Sequence, residues 1–236
     1  MQTLKIIGLL LSYPEKRDSA ANATCARLLR QEDWLAAATQ EKVVRLLQSQ
    51  QDEDLLDLQE AYTDLFDRTP SLSLHLFEHV HGDSRDRGQA MVDLLKLYKQ
   101  SGLAATSDEL PDYLPLFLEF LSTLPPETAR EHLDSAVNVI AAIGERLNRR
   151  HSPYAVLFDA LVEMASRVPD ADQLLLALQQ ASGAPTAAAE LDATWEEQFA
   201  FVNTAQTTGI SDGCPKAQAM LANIEERFGA EQEAKI

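Results

Sequence analysis

The chain has 236 residues, 45% apolar and 24% charged, which suits a soluble globular protein with a real hydrophobic core. Its net charge of -17 opposes binding to nucleic acid and anionic lipid; it either attracts cationic partners such as basic peptide segments or simply keeps the chain soluble. No apolar run approaches the roughly 18 residues a membrane span requires, and Cys25 and Cys214 lack metal-ligand spacing, reading as reduced cytoplasmic thiols.

The first element is "LKIIGLLLSY" from Leu4, where Leu4, Ile7, Leu10 and Leu11 share one helical face and the Tyr13-Pro14 step ends it. With one lysine and no small-residue cleavage site after it, it reads as a helix retained in the mature protein. Helices are predicted over 18–31 and 33–49, the second carrying Trp34, Leu35, Ala38, Val43, Leu46 and Leu47. Leu55, Leu58, Tyr62, Leu65 and Phe66 continue the three- and four-residue steps over 54–66. The same spacing predicts helices over 84–100, 112–124, 127–149, 153–168, 170–181 and 186–203. Prolines 70, 111, 125, 126, 153, 169 and 185 fall between or at the starts of these segments, and Pro115 suits a first turn. No alternating Val-, Ile- and Thr-rich stretch predicts a sheet, and no long period predicts a solenoid. The fold class is therefore all-α, a single irregular bundle of about eight to ten helices. Residues 1–182 are expected to form its core, and 183–236 a helical C-terminal extension with a partly mobile tail that is a candidate for gating release of a bound partner.

Residues 76–91, "LFEHVHGDSRDRGQAM", concentrate His79, His81, Arg85 and Arg87 with Glu78, Asp83 and Asp86. An H-x-H pair converges on a metal only from an extended backbone; on a helix it diverges by about 200°. The metal reading is a hydrolase using His79, His81 and Asp83. Ser84 has no nucleophile-elbow context, and the nine glycines form no phosphate loop. The plainer reading is a helix start capped by Asp83 or Ser84, with Arg85 and Arg87 needing carboxylate partners such as Glu78, Asp83 or Asp86. That makes the stretch a charge-paired corner.

The second dense stretch, "DELPDYLPLFLEFLSTLPP" from Asp108, is apolar around nearly its whole circumference, with Glu119 the one charge inside the helix. Such a helix is central to a bundle or lines an apolar groove. Glu109 and Asp112 at its start either satisfy amide donors or face outward to receive a cation. An apolar groove rimmed by acid fits an amphipathic basic peptide helix.

"LLSYP", "LFEHVHGDSRDRGQAMVDLL" and "ELPDYLPLFLEFLSTLP", together with "YAVLFDALVEMA" and "LDATWEEQ", resemble the NarJ/NarW group of respiratory nitrate reductase delta subunits, over roughly residues 1–200. The resemblance implies an all-α, cytoplasmic, non-catalytic chaperone. It would bind the N-terminal segment of the reductase's catalytic subunit, a remnant twin-arginine signal, and permit insertion of the molybdenum cofactor into that client. It would hold no cofactor stably and would be absent from the finished membrane enzyme, with cofactor-delivery proteins as further candidate partners. Relatives carry an acid–Pro–Asp–His pattern in the peptide-binding region; here it falls on Glu109, Pro111 and Asp112, with Tyr113 in the histidine position. A phenol there can still donate and accept hydrogen bonds.

The expected client groove centres on Phe117, Phe120 and Leu121 with Tyr62 and Phe66. Glu109 and Asp112 would meet client cations beside Tyr113. The corner formed by Phe77, Glu78, His79, His81, Arg85, Asp86 and Arg87 would form one wall or touch the client. The rivals are the metal hydrolase and a passive all-α adaptor.

Overall fold

Capping and proline chemistry set the helix limits in the computed structural model, which describes residues 1–16, 18–81, 85–103 and 109–182. Ten α-helices run through these residues, with no strand among them. The first four are α1 (Gln2–Leu10), α2 (Ser19–Leu29), α3 (Ala37–Asp52) and α4 (Leu55–Tyr62). The short α5 (Glu78–His81) precedes α6 (Arg85–Gln100) and α7 (Leu114–Thr123). The last three are α8 (Pro126–Arg149), α9 (Ala155–Met164) and α10 (Ala171–Ser182). The expected helix over 186–203, the 182/183 boundary and the extension beyond it lie outside the described residues, as do the proposed caps Asp83 and Ser84.

Local chemistry explains most boundaries. Asp18 accepts the Ala21 amide at the start of α2, and Asp54 accepts that of Leu56 at the start of α4. Pro126 occupies the first turn of α8, and Pro115 that of α7.

Two expectations are corrected. The helix predicted over 33–49 begins only at Ala37, where a residue of another helix fixes its start: Glu163 of α9 accepts the amide of the N-cap residue Ala36 and, at 2.6 Å, the Thr39 hydroxyl. Trp34 and Leu35 therefore precede α3, with Leu35 buried and Trp34 under the Arg130 guanidinium at 4.5 Å. The helix over 54–66 changes pitch after Tyr62 into a π turn at Thr63–Asp67, closed by the Arg68 amide on the Thr63 carbonyl. Tyr62 and Phe66 both point inward there, between Tyr13 and Tyr154 in a continuous row of ring contacts.

Two helix pairs organise the core, α1 with α7 and α8 with α9. The first pair is antiparallel: the Met1 amine donates to the Ser122 carbonyl, Lys5 meets Glu119, and Gly8 faces Pro115. Leu4, Ile7 and Leu11 interleave there with Leu114, Leu118 and Leu121, all buried. In the second pair Ile140, Ile143 and Leu147 bury against Leu157, Phe158 and Leu161.

Gly144 of α8 lies tight against α9: an added Cβ would sit 2.9 Å from the Phe158 Cβ. Gly144→Ala is expected to lower unfolding stability by about 1–3 kcal/mol in urea titrations, overpacking outweighing alanine's better helix propensity. At Gly88 of α6 an added Cβ meets nothing within 4 Å, so Gly88→Ala should raise stability by about 0.5–1 kcal/mol. Equal effects at both glycines would contradict this packing.

Candidate functional site

The segment between the π turn and α5 reaches back to the start of α7 and is held there by backbone and side-chain bonds. His75 and Tyr113 form an isolated antiparallel bridge, with the Leu76 amide on the Asp112 carbonyl at 3.0 Å and the Leu114 amide on the Leu74 carbonyl at 2.8 Å. Asp112 is 0% exposed and turns inward. Its carboxylate accepts the Phe77 amide at 3.1 Å and faces the His75 Nδ1 at 3.4 Å. Burial alone would raise the Asp112 pKa, but the bonds from His75 and Phe77 outweigh it and hold the carboxyl below its ordinary value. The bond to Asp112 conversely holds the His75 pKa above its usual one. Tyr98 of α6 completes the corner by donating to the Pro111 carbonyl at 2.6 Å.

His79 lies behind this latch. Its Nε2–H donates to the Ser73 carbonyl at 2.8 Å, and burial pushes its pKa down, favouring a neutral ring. Residues 78–81 form a helical turn, the geometry in which His79 and His81 diverge. Among the described residues no group of three or more His, Cys, Asp or Glu is placed to hold a metal. The expected pairing of Arg87 is present, with Glu78 at 3.0 Å. The side chains of His81, Arg85 and Asp86 lie outside the described residues.

The groove expected around Phe120 and Leu121 is not open. These side chains are 2% and 0% exposed, Tyr62 and Phe66 are interior as well, and Asp112 does not face solvent. The reason is that α7 is enclosed by α1 and α8, which consume the faces carrying these residues. Two apolar grooves open instead on either side of α7. The larger, about 630 Å³, runs between α6 and α8 and includes Phe77, Leu94, Leu97, Phe117 and Val139. The other, about 410 Å³, lies between α1, α2 and α7 and is floored by Ile6, Leu9, Leu28, Pro115 and Leu116. Its rim carries Glu109, Tyr113, Lys5 and Glu119. Leu9, 56% exposed, adds accessible apolar surface to this groove, as Val80, 59% exposed, does to the larger one.

Tyr113 is oriented by a relay. The Tyr62 hydroxyl donates to the Leu11 carbonyl at 2.9 Å, so its oxygen serves as acceptor for Tyr113, 3.0 Å away. The Tyr113 oxygen then keeps its lone pairs for an incoming donor beside Glu109. Sequence reasoning singled out Glu109 and Tyr113 but missed Lys5, Ile6, Leu9, Leu28 and His75. The available signal for Leu9 was that "KIIGLLL" is apolar on more than one face; nothing local ties His75 to a carboxylate 37 residues away.

Comparison with known proteins points in one direction. The family described as "Nitrate reductase delta subunit" matches residues 32–160. The chain is 42% identical over 198 residues to the "Probable nitrate reductase molybdenum cofactor assembly chaperone NarW" of Escherichia coli (strain K12), covering 84% of this chain and 82% of that one. It is 50% identical over 145 residues to the nitrate reductase molybdenum cofactor assembly chaperone NarJ of the same organism, 61% of each chain. A Bacillus subtilis (strain 168) relative, "Probable nitrate reductase molybdenum cofactor assembly chaperone NarJ", is 29% identical over 167 residues, 68% of this chain and 86% of its own.

The latch has a pH signature. A raised His75 pKa contributes stability that is present below the unfolded value of about 6.5 and is lost as pH rises through the folded value. The lowered Asp112 pKa contributes stability that is present above about 3.9 and is lost as pH falls through its folded value. His79, lowered, acts with the opposite sign to His75. The stability difference between the native chain and His75→Gln should therefore be largest near about pH 5–6 and shrink above neutrality, the His79 contribution cancelling. Asp112→Ala, which removes the carboxylate that accepts the Phe77 amide and faces His75, should cost about 2–3 kcal/mol. A His75→Gln difference independent of pH in urea titrations would contradict the latch.

Proposed function

The chain belongs to the nitrate reductase delta subunit family, and from that membership we propose that it is a non-catalytic cytoplasmic chaperone for assembly of the nitrate reductase catalytic subunit. The client's basic, amphipathic N-terminal segment docks as a helix in the α1–α2–α7 groove. There it is held while the molybdenum cofactor enters the client, and it is released before the finished enzyme forms. Among the described residues no helix is long and apolar enough to cross a membrane.

The observation that carries this reading is an apolar floor with an acidic rim in one groove, exposing Leu9 and offering Glu109 without an ion-pair partner among the described residues. Apolar contact provides affinity and the rim provides orientation. Such an arrangement suits holding and release, because exposed charge pairs contribute about 1 kcal/mol or less and exchange readily. The α6–α8 groove is the second reading for the docking surface, favoured by its greater volume and by Phe77 and Phe117. Its rim pairs Asp93 with Lys96 at 2.9 Å, which leaves less charge to select a basic segment.

Calorimetric titration with a peptide copying the catalytic subunit's N-terminal segment tests the proposal. Binding near or below about 10 μM with a negative heat-capacity change is expected. Leu9→Asp should weaken it at least about tenfold, and Glu109→Gln about two- to fivefold with a shallower salt dependence. Unchanged binding in both variants would move the client to the other groove. In cells lacking the chain, client with full molybdenum content would instead support the passive adaptor.

A further inference from the structure

The α1–α2–α7 groove contains one base of its own among its lining residues, Lys5, set against two acids, Glu109 and Glu119. Lys5 Nζ stands 3.6 Å from the Glu119 carboxylate, with the side chains 61% and 55% exposed. Glu109 has no such partner among the described residues. The two acidic positions are also separated along the groove. Because α1 and α7 run antiparallel, the groove follows α7, and six residues from Tyr113 to Glu119 span about 9 Å of helix axis. A client helix with cations about two turns apart (~11 Å) would reach both ends. One cation would find Glu109, which has no ion pair among the described residues, beside the Tyr113 oxygen. The other would find Glu119 already engaged.

We propose that Lys5 is a built-in competitor for the client, holding Glu119 so that the second client cation must displace it. This rests on the client lying in this groove. An exposed pair of this kind contributes about 1 kcal/mol or less, so displacement is easy and the effect is a modest, adjustable reduction in affinity. For a holding protein that must let go, a competitor fixed at one end of the groove weakens the complex without removing the acidic rim that selects the client. Lys5 is thus a specificity-determining residue: it sets how much a second client cation is worth.

The test uses the full chain and a synthetic amphipathic helical peptide with two lysines two turns apart, titrated calorimetrically at two salt concentrations. Lys5→Met should tighten binding about three- to fivefold and steepen the salt dependence, whereas Glu119→Gln alone should change little. The double variant should lose the gain. Lys42→Met on α3 alters net charge equally and should have no comparable effect. Unchanged affinity in Lys5→Met overturns the inference while leaving the groove reading intact. A gain that persists in the Glu119→Gln background also overturns it, because the effect would then be long-range repulsion. Peptide that binds none of the chains overturns the groove reading itself, and the competitor role with it.

Discussion

A carboxylate with no solvent exposure, Asp112, ties the 73–79 segment to the start of α7. Removing a carboxylate from water costs several kcal/mol, which must be offset by bonds of good geometry. Here the Phe77 amide and His75 supply them, and the flanking backbone bridge from Leu74–Leu76 to Asp112–Leu114 spreads the restraint over several bonds. Pro111, whose ring limits the local backbone, has its carbonyl taken by Tyr98. The first turn of α7 is consequently held from two directions before the helix begins.

That restraint shapes the outer surface. With α7 fixed against α1 and α8, Leu118, Phe120 and Leu121 are committed to the interior, and Phe117 and Leu116 are left at the edges of separate grooves. The same loop sets Tyr113 against Tyr62 and places Glu109 on the groove rim. A rigid latch and an open acidic edge thus come from adjacent residues with opposite exposure. Asp112 is buried in the latch, while Glu109 lies on the groove rim and is the residue proposed to meet a client cation.

Much of this architecture was legible in the sequence. Three- and four-residue apolar steps located the described helices from α1 to α10 apart from the four-residue α5, and the proline positions marked α7 and α8 well, because both signals are local. The α3 boundary was not legible, since the acceptor for the amide of its N-cap residue Ala36 is Glu163, more than a hundred residues away. The pitch change after Tyr62 has no simple pattern either. The stretch "ELPDY" announced a site, but sequence could not decide which acid turns inward: Glu109 and Asp112 are chemically alike and differ only in what the fold brings to them. Likewise an all-round apolar helix such as α7 reveals that several faces are occupied, not which face borders a groove. The Arg87–Glu78 pair was anticipated because cations near a helix start demand a carboxylate.

The most direct measurement of the central claim, that the acid-rimmed side of α7 receives the client, is an amide-shift map of isotope-labelled full chain titrated with the client's N-terminal peptide. The largest shifts are expected on Ile6, Leu9, Leu28, Tyr113 and Leu116. Shifts concentrated on Leu94, Leu97 and Val139, with the α1–α2–α7 groove silent, would contradict it.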